Sequence, residues 1–325
     1  PLYIMYSSGT TGKPKSIVHS AGGTLIQHMK ELKYHVDLRK KDKIFYYTTC
    51  GWMMWNWLVS SLSFGSCIVL YEGSPFYPNK DSLLKKMDNI KLSIFGTSAK
   101  YISYLEANKI IPKDIGSFND LRLILSTGSP LEDNSFDFVY NYWKSNVQLS
   151  SISGGTDIIS CFVLGNLFQP VYSGEIQNRG LGMDVDIFDE EGHSIKDKKG
   201  ELVCKKPFPS MPVKFWKDDN DTKYKSAYFE KYKNVWHHGD FAKVKKSNGS
   251  FVIYGRSDTT LNPGGVRLGT SEIYSEVEKF KEIKESIVIG QTWDNDIRVI
   301  LFIVLNKNKR LDKNLERKIK FNIRK

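Results

Sequence analysis

The sequence indicates an α/β protein, in which a layered parallel-sheet domain with helices on both faces and a β-barrel-like region precede a small α+β domain. Three regions with different patterns along the 325 residues lead to this prediction. Residues 1–160 alternate short β-branched runs with helical patterns, residues 161–255 carry shorter strands with turn signals, and residues 270–325 combine helices with two strands. Alternating strands and helices are typical of βαβ units and a parallel sheet.

After the apolar strand pattern at its start, the first region is expected to contain at least five more strands and, between them, helices. The strands lie near 44–48, 67–71, 92–95, 121–126 and 147–151, and the helices near 22–35, 54–63, 80–89, 98–108 and 132–144. Because helical patterns separate the strands, we expect the strands to pair in parallel, with helices on both faces of the sheet.

The second region differs in its turn signals, which favour antiparallel hairpins and a barrel-like arrangement. These signals are Glu190-Glu191-Gly192, Lys199-Gly200 and Asn248-Gly249. A connector rich in Gly, Asn, Pro and Asp follows over residues 255–269. Beyond it, a helix near 271–280, strands near 286–290 and 298–304, and a basic helix predict the small α+β domain.

Composition excludes several classes of protein. Hydrophobic residues make up 40% of the chain and aromatic residues 13%, which is enough for a packed core and argues against wholesale disorder. The four cysteines are far apart, without a C-x-x-C pair, which argues against a zinc site or a disulfide framework and favours a reducing compartment. No apolar run approaches the ~18–20 residues of a membrane span, and no signal peptide is visible, so a cytoplasmic location is expected.

The net charge of +11 is concentrated at one end of the chain. Residues 307–325 contain nine Lys or Arg and two acidic residues, a net charge of +7. Leu311, Leu315, Ile319 and Ile323 recur every four residues there, which predicts an amphipathic helix with a basic outer face. Packing of this helix against its own domain is one interpretation, and binding to nucleic acid or an acidic membrane is the other.

Both ends of the chain indicate a piece of a longer polypeptide. The sequence begins with Pro1 and enters an apolar strand pattern at once, and it stops at Lys325 while the helical pattern continues.

A glycine-rich loop at residues 6–15, Tyr-Ser-Ser-Gly-Thr-Thr-Gly-Lys-Pro-Lys, follows the first strand pattern. Glycines allow successive backbone N–H groups to point inward around an anion, while hydroxyls and lysines add donors and charge. The spacing is neither that of a Walker A loop nor that of G-x-G-x-x-G, and Pro14 opposes a helix directly after the loop. A phosphate-binding loop is predicted, with a plain hairpin turn as the alternative.

Four further motifs follow in order and, together with this loop, resemble those of adenylate-forming enzymes, the family of acyl-CoA synthetases, peptide-synthetase adenylation domains and luciferases. They are Gly128-Ser129-Pro130-Leu131, Ser153-Gly154-Gly155-Thr156-Asp157, Trp236-His237-His238-Gly239-Asp240, and Gly255-Arg256-Ser257-Asp258 with the run from Asn262 to Gly269. The similarity is expected to extend from Pro1 to about Leu305 and to fade in the basic tail.

The resemblance implies an ATP site. Ser7, Ser8, Gly9, Thr10, Thr11, Gly12 and Lys15 would cradle the phosphates, and Gly128, Ser129 and Pro130 would meet the adenine. By the same resemblance Thr156 would contact the α-phosphate, and Asp157 would help to hold Mg²⁺ in place of the family's glutamate. An ordinary turn remains the alternative at residue 128, and a helix N-cap remains the alternative for Thr156 and Asp157.

The last two motifs imply roles in ribose and CoA binding. Asp240 would accept hydrogen bonds from both ribose hydroxyls, which suits a carboxylate, and His238 replaces the usual threonine or serine. Arg256 would bond the ribose or a phosphate. The resemblance makes Asp258 the hinge between a large domain, residues 1–257, and a small lid domain, residues 258–325. Gly264 and Gly265 would let pantetheine pass, and Arg267 would face phosphate as a catalytic residue with Thr156 and Asp157.

The acid is expected to be acetoacetate. Trp52 begins a run with three tryptophans in six residues, in the region of the acyl pocket of short-chain acyl-CoA synthetases; a buried helix start is the alternative. Acetyl-CoA synthetases carry a tryptophan where this chain has Gly154, which would leave volume for a longer acyl group. Continuous similarity, including His19-Ser20-Ala21-Gly22-Gly23, points to the subfamily that activates acetoacetate for ketone-body use and lipid synthesis.

The implied reaction converts ATP, acetoacetate and CoA into AMP, pyrophosphate and acetoacetyl-CoA through an acyl-adenylate, with Mg²⁺ as the cofactor. No nucleic-acid partner is expected, and the oligomeric state is left open. Activation of another short-chain acid such as acetate or propionate, or a nucleotide-binding remnant without activity, are the alternatives. Because family members are longer than 325 residues and carry a later catalytic lysine, we expect this chain alone to be weak or inactive in adenylation.

Overall fold

The computed structural model describes residues 1–7, 14–257, 260–261, 268–293 and 296–324. The chain divides into two compact units, one formed by residues 1–238 and 243–253 and the other by residues 239–242 and 254–325. The predicted hinge residue, Asp258, lies outside the described residues.

The strands and helices are numbered in chain order. The strands are β1 (Tyr3–Ser7), β2 (Lys15–His19), β3 (Lys43–Tyr46), β4 (Cys67–Val69), β5 (Ile94–Ser98), β6 (Leu123–Thr127), β7 (Gln148–Ser151), β8 (Ser153–Gly155), β9 (Ser160–Leu164), β10 (Asn178–Arg179), β11 (Val185–Phe188), β12 (Gly200–Cys204), β13 (Lys214–Phe215), β14 (Trp236–Val244), β15 (Phe251–Arg256), β16 (Thr260–Leu261), β17 (Leu268–Gly269), β18 (Ile283–Trp293) and β19 (Asp296–Leu305). The helices are α1 (Ala21–Tyr34), α2 (Met53–Ser60), α3 (Ser82–Asn89), α4 (Ala99–Ala107), α5 (Asp133–Phe138), α6 (Thr222–Phe229), α7 (Thr270–Val277) and α8 (Lys313–Ile323).

The five strands predicted in the first region form one parallel sheet in the order β4-β3-β5-β6-β7. Side chains of successive strand residues point to opposite faces. In β3, accordingly, Phe45 packs into a hydrophobic cluster with α3, α4 and α5, whereas Ile44 and Tyr46 pack into a second cluster with α1 and α2. Helices therefore cover both faces of the sheet, which confirms the layered prediction.

The described residues form five further sheets, in the orders β1-β2-β13, β10-β9-β8, β11-β12-β14-β15, β16-β17 and β18-β19. The antiparallel pairs β9–β10 and β11–β12 confirm the change of texture expected after residue 160, whereas the antiparallel hairpin β1–β2 lies in the region expected to be largely parallel. Pairing of β2 with β13 joins residues about 200 positions apart, Val18 with Lys214 and Ile17 with Phe215. The hairpin β1–β2 brackets the glycine-rich loop, with Ser7 opposite Lys15 in the register.

The unit that contains residues 254–325 has its own hydrophobic cluster, in which α7 and α8 pack on the hairpin β18–β19. Leu315 and Ile319 of α8 are buried, as predicted, but Leu311 is 50% exposed. The prediction of a stripe that includes Leu311 is wrong, because Asp312 caps α8 by accepting a hydrogen bond from the Leu315 N–H at 2.7 Å. Leu311 therefore precedes the helix.

Two expectations from composition can be compared with the structure. All four cysteines, at positions 50, 67, 161 and 204, are free. Within the described ranges, no helix combines the length and the apolar character that crossing a membrane requires.

Candidate active site

Loops from four parallel strands meet at the carboxyl edge of the sheet. Trp52 follows β3, Ser98 ends β5, Gly128 follows β6, and the segment Ser153–Asp157 follows β7. A Cβ placed on Gly128 would lie 4.0 Å from both Ser98 Cβ and Trp52 Cζ2. Ligands of open α/β sheets bind at this edge. The structure thus brings the predicted adenine loop and the predicted acyl-pocket tryptophan together.

Gly128 has a backbone conformation that favours glycine, with a φ of 91°. Gly128, Ser129 and Pro130 are all exposed, so this loop is open to a ligand. The Thr127 hydroxyl donates to the Ile152 carbonyl oxygen at 2.9 Å and ties this loop to the strand end that precedes Ser153.

Asp157 is a buried carboxylate, 9% exposed, whose Oδ1 accepts hydrogen bonds from the Lys15 ammonium and the Tyr228 hydroxyl. Burial alone would raise the pKa of Asp157. The charges of Lys15 and His238, with the hydrogen bonds from Lys15 and Tyr228, outweigh burial and hold this pKa below its ordinary value. Asp157 is therefore ionised at neutral pH, beside the second lysine of the glycine-rich loop.

Tyr228 is the residue of this cluster that the sequence did not reveal. Its ring stacks on Trp236 with centroids 3.8 Å apart, and the Lys15 ammonium lies 5.0 Å from the centre of the ring. In the sequence, Tyr224 and Tyr228 are spaced by four in a helical segment, which is also the spacing of ordinary packing residues. No motif distinguished the tyrosine that contacts the carboxylate.

Thr156 lies in a turn, residues 156–159, between β8 and β9. No helix begins there, so the alternative of a helix N-cap is excluded. Its carbonyl oxygen accepts a hydrogen bond from His19 Nε2 at 3.0 Å. Burial lowers the pKa of His19 to about 4, so the imidazole is neutral, and the Nε2 carries the proton that it donates.

Gly154 has a different role from the one expected. A Cβ at Gly154 would lie 2.0 Å from the Ser160 carbonyl oxygen and 2.6 Å from Cys161 Cα, both in β9. The neighbouring strand, not open pocket volume, occupies the space of a side chain. The sequence predicted that glycine, in place of the tryptophan of acetyl-CoA synthetases, leaves room for a longer acid. This geometry does not support that prediction. Glycine instead allows β8 and β9 to approach closely.

His238, which replaces the family's threonine or serine, lies against the same segment. A Cβ at Gly155 would be 3.6 Å from His238 Nε2, and the imidazole packs edge-on against Phe162 with ring centroids 4.7 Å apart. Its proximity to Asp157 contributes to the low pKa of that carboxylate.

In the second unit, Asp240 and Arg256 lie on β14 and β15 and form an ion pair. The Arg256 Nη1 is 3.4 Å from Asp240 Oδ1, and Asp240 is 6% exposed. Ser257 N–H donates to the Gly239 carbonyl oxygen at 2.8 Å, so the two motifs that contain these residues are neighbours.

Several predicted site residues fall outside the described residues, and their roles stay predictions. They are Ser8, Gly9, Thr10, Thr11, Gly12, Asp258, Gly264, Gly265 and Arg267. Ser7, the described start of the loop, ends β1, and its buried hydroxyl has no partner among the described residues.

Within the described parts of the chain, no group of three or more His, Cys, Asp and Glu side chains could hold a metal ion by itself. A single ionised carboxylate such as Asp157 fits a Mg²⁺ ion that arrives with nucleotide, because Mg²⁺ is usually held by one or two carboxylates together with substrate phosphates.

The model of one protein family, AMP-binding enzyme, matches residues 1–211. The chain belongs to this family. Among its curated relatives, acetoacetyl-coenzyme A synthetase of Rhizobium meliloti (strain 1021) is 54% identical over 324 residues, which cover 100% of the chain and 50% of that protein. Acetoacetyl-CoA synthetase of Gallus gallus is 50% identical over 325 residues, 100% of the chain and 49% of that protein.

The fold of this AMP-binding enzyme also matches a solved structure, acetoacetyl-CoA synthetase from Streptomyces lividans. The TM-score is 0.91 at 42% sequence identity, over 100% of the chain and 50% of that structure's chain. The predicted fold class is thereby confirmed. The chain spans about half the length of the curated relatives it matches.

The match of this AMP-binding enzyme to the Gallus gallus protein covers all 325 residues and so extends beyond Leu305, after which the similarity was expected to fade. The basic tail therefore belongs to the region shared with that relative.

Proposed function

We propose that this chain forms the nucleotide- and acid-binding part of an acetoacetate–CoA ligase. The observation that carries the proposal is the ionised Asp157, paired with Lys15 beside Thr156, in a segment that follows the same sheet edge as the Gly128 loop. Relatives at 54% and 50% identity are acetoacetyl-CoA synthetases, which supports acetoacetate as the acid.

In this proposal ATP lies across the carboxyl edge of the sheet. Gly128, Ser129 and Pro130 meet the adenine, Asp240 and Arg256 bind the ribose, and Thr156 contacts the α-phosphate. Lys15 and the glycine-rich loop hold the outer phosphates by charge and backbone donors. Mg²⁺, held by Asp157 and the phosphates, would neutralise phosphate charge.

The proposed reaction has two steps that use one site. The acetoacetate carboxylate attacks the α-phosphorus and pyrophosphate leaves, which gives acetoacetyl-adenylate; the thiol of CoA then attacks the acyl carbon and AMP leaves. The residues act chiefly by positioning and by charge stabilisation. Arg267, Asp258, Gly264 and Gly265 keep their predicted parts in phosphate contact, lid rotation and passage of pantetheine.

Trp52 is the proposed wall of the acyl pocket. Its ring carbon Cζ2 is 4.0 Å from the position that a Cβ would take on Gly128, which brings an indole next to the loop proposed to meet the adenine. The free cysteines fit a reducing compartment, and we place the protein in the cytosol as part of the same proposal.

Acid-dependent release of pyrophosphate tests this function. The chain, ATP and Mg²⁺ are incubated with equal concentrations of acetoacetate, acetate, propionate or 3-hydroxybutyrate, and pyrophosphate is measured by a coupled assay. We expect low rates, because the chain spans about half the length of its relatives, and the highest of the four rates with acetoacetate. A higher rate with acetate or propionate would show that this acid, rather than acetoacetate, is the preferred substrate. Binding of ATP without any acid-dependent release would favour a nucleotide-binding protein without activity.

A further inference from the structure

Two buried histidines bond to the turn that carries Thr156 and Asp157. His19, at the end of β2, donates from Nε2 to the Thr156 carbonyl oxygen at 3.0 Å. His28, on α1, donates from Nε2 to the Ile159 carbonyl oxygen at 2.5 Å. Both side chains are 0% exposed, so the bonds are shielded from water.

Two more buried side chains of α1 bond to the strand that leaves this turn. Gln27 Nε2 donates to Ser160 Oγ at 2.8 Å, and Ser160 Oγ in turn donates to Glu31 Oε1. Glu31 Oε2 also accepts a hydrogen bond from Trp57 Nε1 at 2.9 Å. We call these four side chains the α1 clamp, which consists of His19 at the end of β2 together with Gln27, His28 and Glu31 of α1. Together they bond to three of the five residues from 156 to 160.

The turn held by the α1 clamp contains an unfavourable backbone conformation. Ile159 has a φ of 47°, in the left-handed region that a β-branched residue rarely adopts. Such a conformation persists only where the surroundings impose it, and it is often found at functional sites. His28 bonds to the carbonyl group of this residue, two positions after Asp157.

The histidines act as neutral donors. Burial lowers the pKa of both His19 and His28, and for His19 to about 4. His28 Nδ1 lies 2.8 Å from Ser60 Oγ, a hydroxyl that can donate to it, which leaves the proton on Nε2 for the Ile159 carbonyl. Each imidazole is therefore fixed as a donor to the backbone of the turn.

We propose that His19 and His28 are positioning residues, which hold the turn so that Thr156 and Asp157 face the phosphates of a bound nucleotide. The inference rests on the proposed function, in which these two residues contact the α-phosphate and Mg²⁺. Both imidazoles are fully buried and bond to backbone carbonyl oxygens, so they would act on the nucleotide through the turn. A clamp that only stabilised the fold would support adenosine binding and phosphate binding equally.

Comparison of Mg·ATP with adenosine separates these two roles. Dissociation constants for both ligands are measured by calorimetry with the 325-residue chain, its His19→Phe and His28→Phe variants, and the rescue variants His19→Gln and His28→Gln, whose Nε2 amide can still donate. His193→Phe is the matched control, because His193 lies on the surface.

In the Phe variants we expect Mg·ATP binding to weaken about tenfold, as for loss of one buried hydrogen bond, while adenosine binding stays within about twofold. The Gln variants should recover most of the loss, and the control should match the unmodified chain. Equal weakening for both ligands, or none for either, would overturn the inference. If the unmodified chain binds Mg·ATP no more tightly than adenosine, the proposed function itself fails.

Ser60→Ala replaces the Phe variants if they do not fold, since it removes only the hydroxyl beside His28 Nδ1. We expect it to weaken Mg·ATP binding about threefold and to leave adenosine binding unchanged. Unchanged affinity for Mg·ATP in this folded variant would also overturn the inference.

Discussion

Asp157 is costly to bury as a carboxylate, and its neighbours explain why it stays charged. Desolvation disfavours the ionised form, but a lysine, a tyrosine hydroxyl and a nearby histidine favour it more strongly. The motif at residues 153–157 predicted Asp157 and Thr156, and the glycine-rich loop predicted Lys15. Tyr228 and His19 come from distant segments, and only the folded chain shows that they bond to this turn.

Replacement of Tyr228 by Phe tests the contribution of its hydroxyl. The ring and its stacking on Trp236 remain, but Asp157 loses one donor, so its pKa should rise towards the ordinary value. We expect about 1 kcal/mol loss in the free energy of unfolding and a severalfold weaker affinity for Mg·ATP, measured by denaturant titration and calorimetry.

Tyr224→Phe is the control, because this hydroxyl donates to the Pro212 carbonyl oxygen at 3.2 Å rather than to Asp157. It should cost similar stability without changing nucleotide affinity. Equal affinity for Mg·ATP in both variants would show that the Tyr228 hydroxyl does not serve the site.

His19 predicts a pH dependence of stability. Its pKa is about 4 in the folded chain, since burial disfavours the charged form, and about 6.5 when unfolded. Between these values the unfolded state binds a proton that the folded state does not. The free energy of unfolding should therefore fall by about 1.4 kcal/mol per pH unit for this group as pH decreases from 6.5 to 4.

The measurement compares denaturant unfolding of the unmodified chain and His19→Gln at several pH values. The variant lacks the titrating imidazole. Over this pH window its free energy of unfolding should therefore fall by about 1.4 kcal/mol per pH unit less than that of the unmodified chain. Contributions from all other groups are common to both proteins and cancel in the difference. Identical slopes would contradict the neutral, buried state of His19.

At the scale of secondary structure, local patterns predicted the parallel sheet well because each βαβ unit is built from neighbouring segments. Element ends were less predictable. The helix expected over 132–144 changes to a π-helix at Val139–Trp143, and the strands expected at 286–290 and 298–304 extend to Ile283–Trp293 and Asp296–Leu305. Pairing of β13 with β2 depends on tertiary contacts that no local pattern records.

The close approach of β8 and β9 makes two adjacent glycines respond differently to substitution. Gly154→Ala would place a methyl group 2.0 Å from a backbone oxygen, so the strands must separate, at a cost of about 1–3 kcal/mol. Gly155→Ala meets only His238 at an ordinary 3.6 Å and should change stability by less than about 0.5 kcal/mol. Thermal unfolding measures both, and equal stability would refute the packing argument.

The N-cap of α8 gives a prediction for the second unit. Asp312→Ala removes the acceptor for the Leu315 N–H and should cost about 1 kcal/mol, measured by chemical denaturation. Asn314→Ala, one residue inside the helix start, is the control and should be neutral or slightly stabilising. A loss in the control as large as in the cap variant would argue against capping by Asp312.

At the scale of the whole molecule, the net charge of +11 is unevenly distributed along the chain. Much of it lies on α8 and its flanks, where Leu315 and Ile319 pack inward against the hairpin β18–β19 and the basic residues form the opposite face. This supports the interpretation of a packed helix.

Titration of the chain with Mg·ATP tests whether Asp157, with its partners Lys15 and Tyr228, forms part of a nucleotide site. Asp157→Asn keeps the size of the side chain but removes the charge that faces Lys15, and Asp219→Asn changes an exposed aspartate instead. We predict one binding site per chain, an affinity reduced about tenfold or more in Asp157→Asn, and no change in Asp219→Asn. Equal affinity of the unmodified chain and Asp157→Asn for Mg·ATP would contradict the proposed nucleotide site.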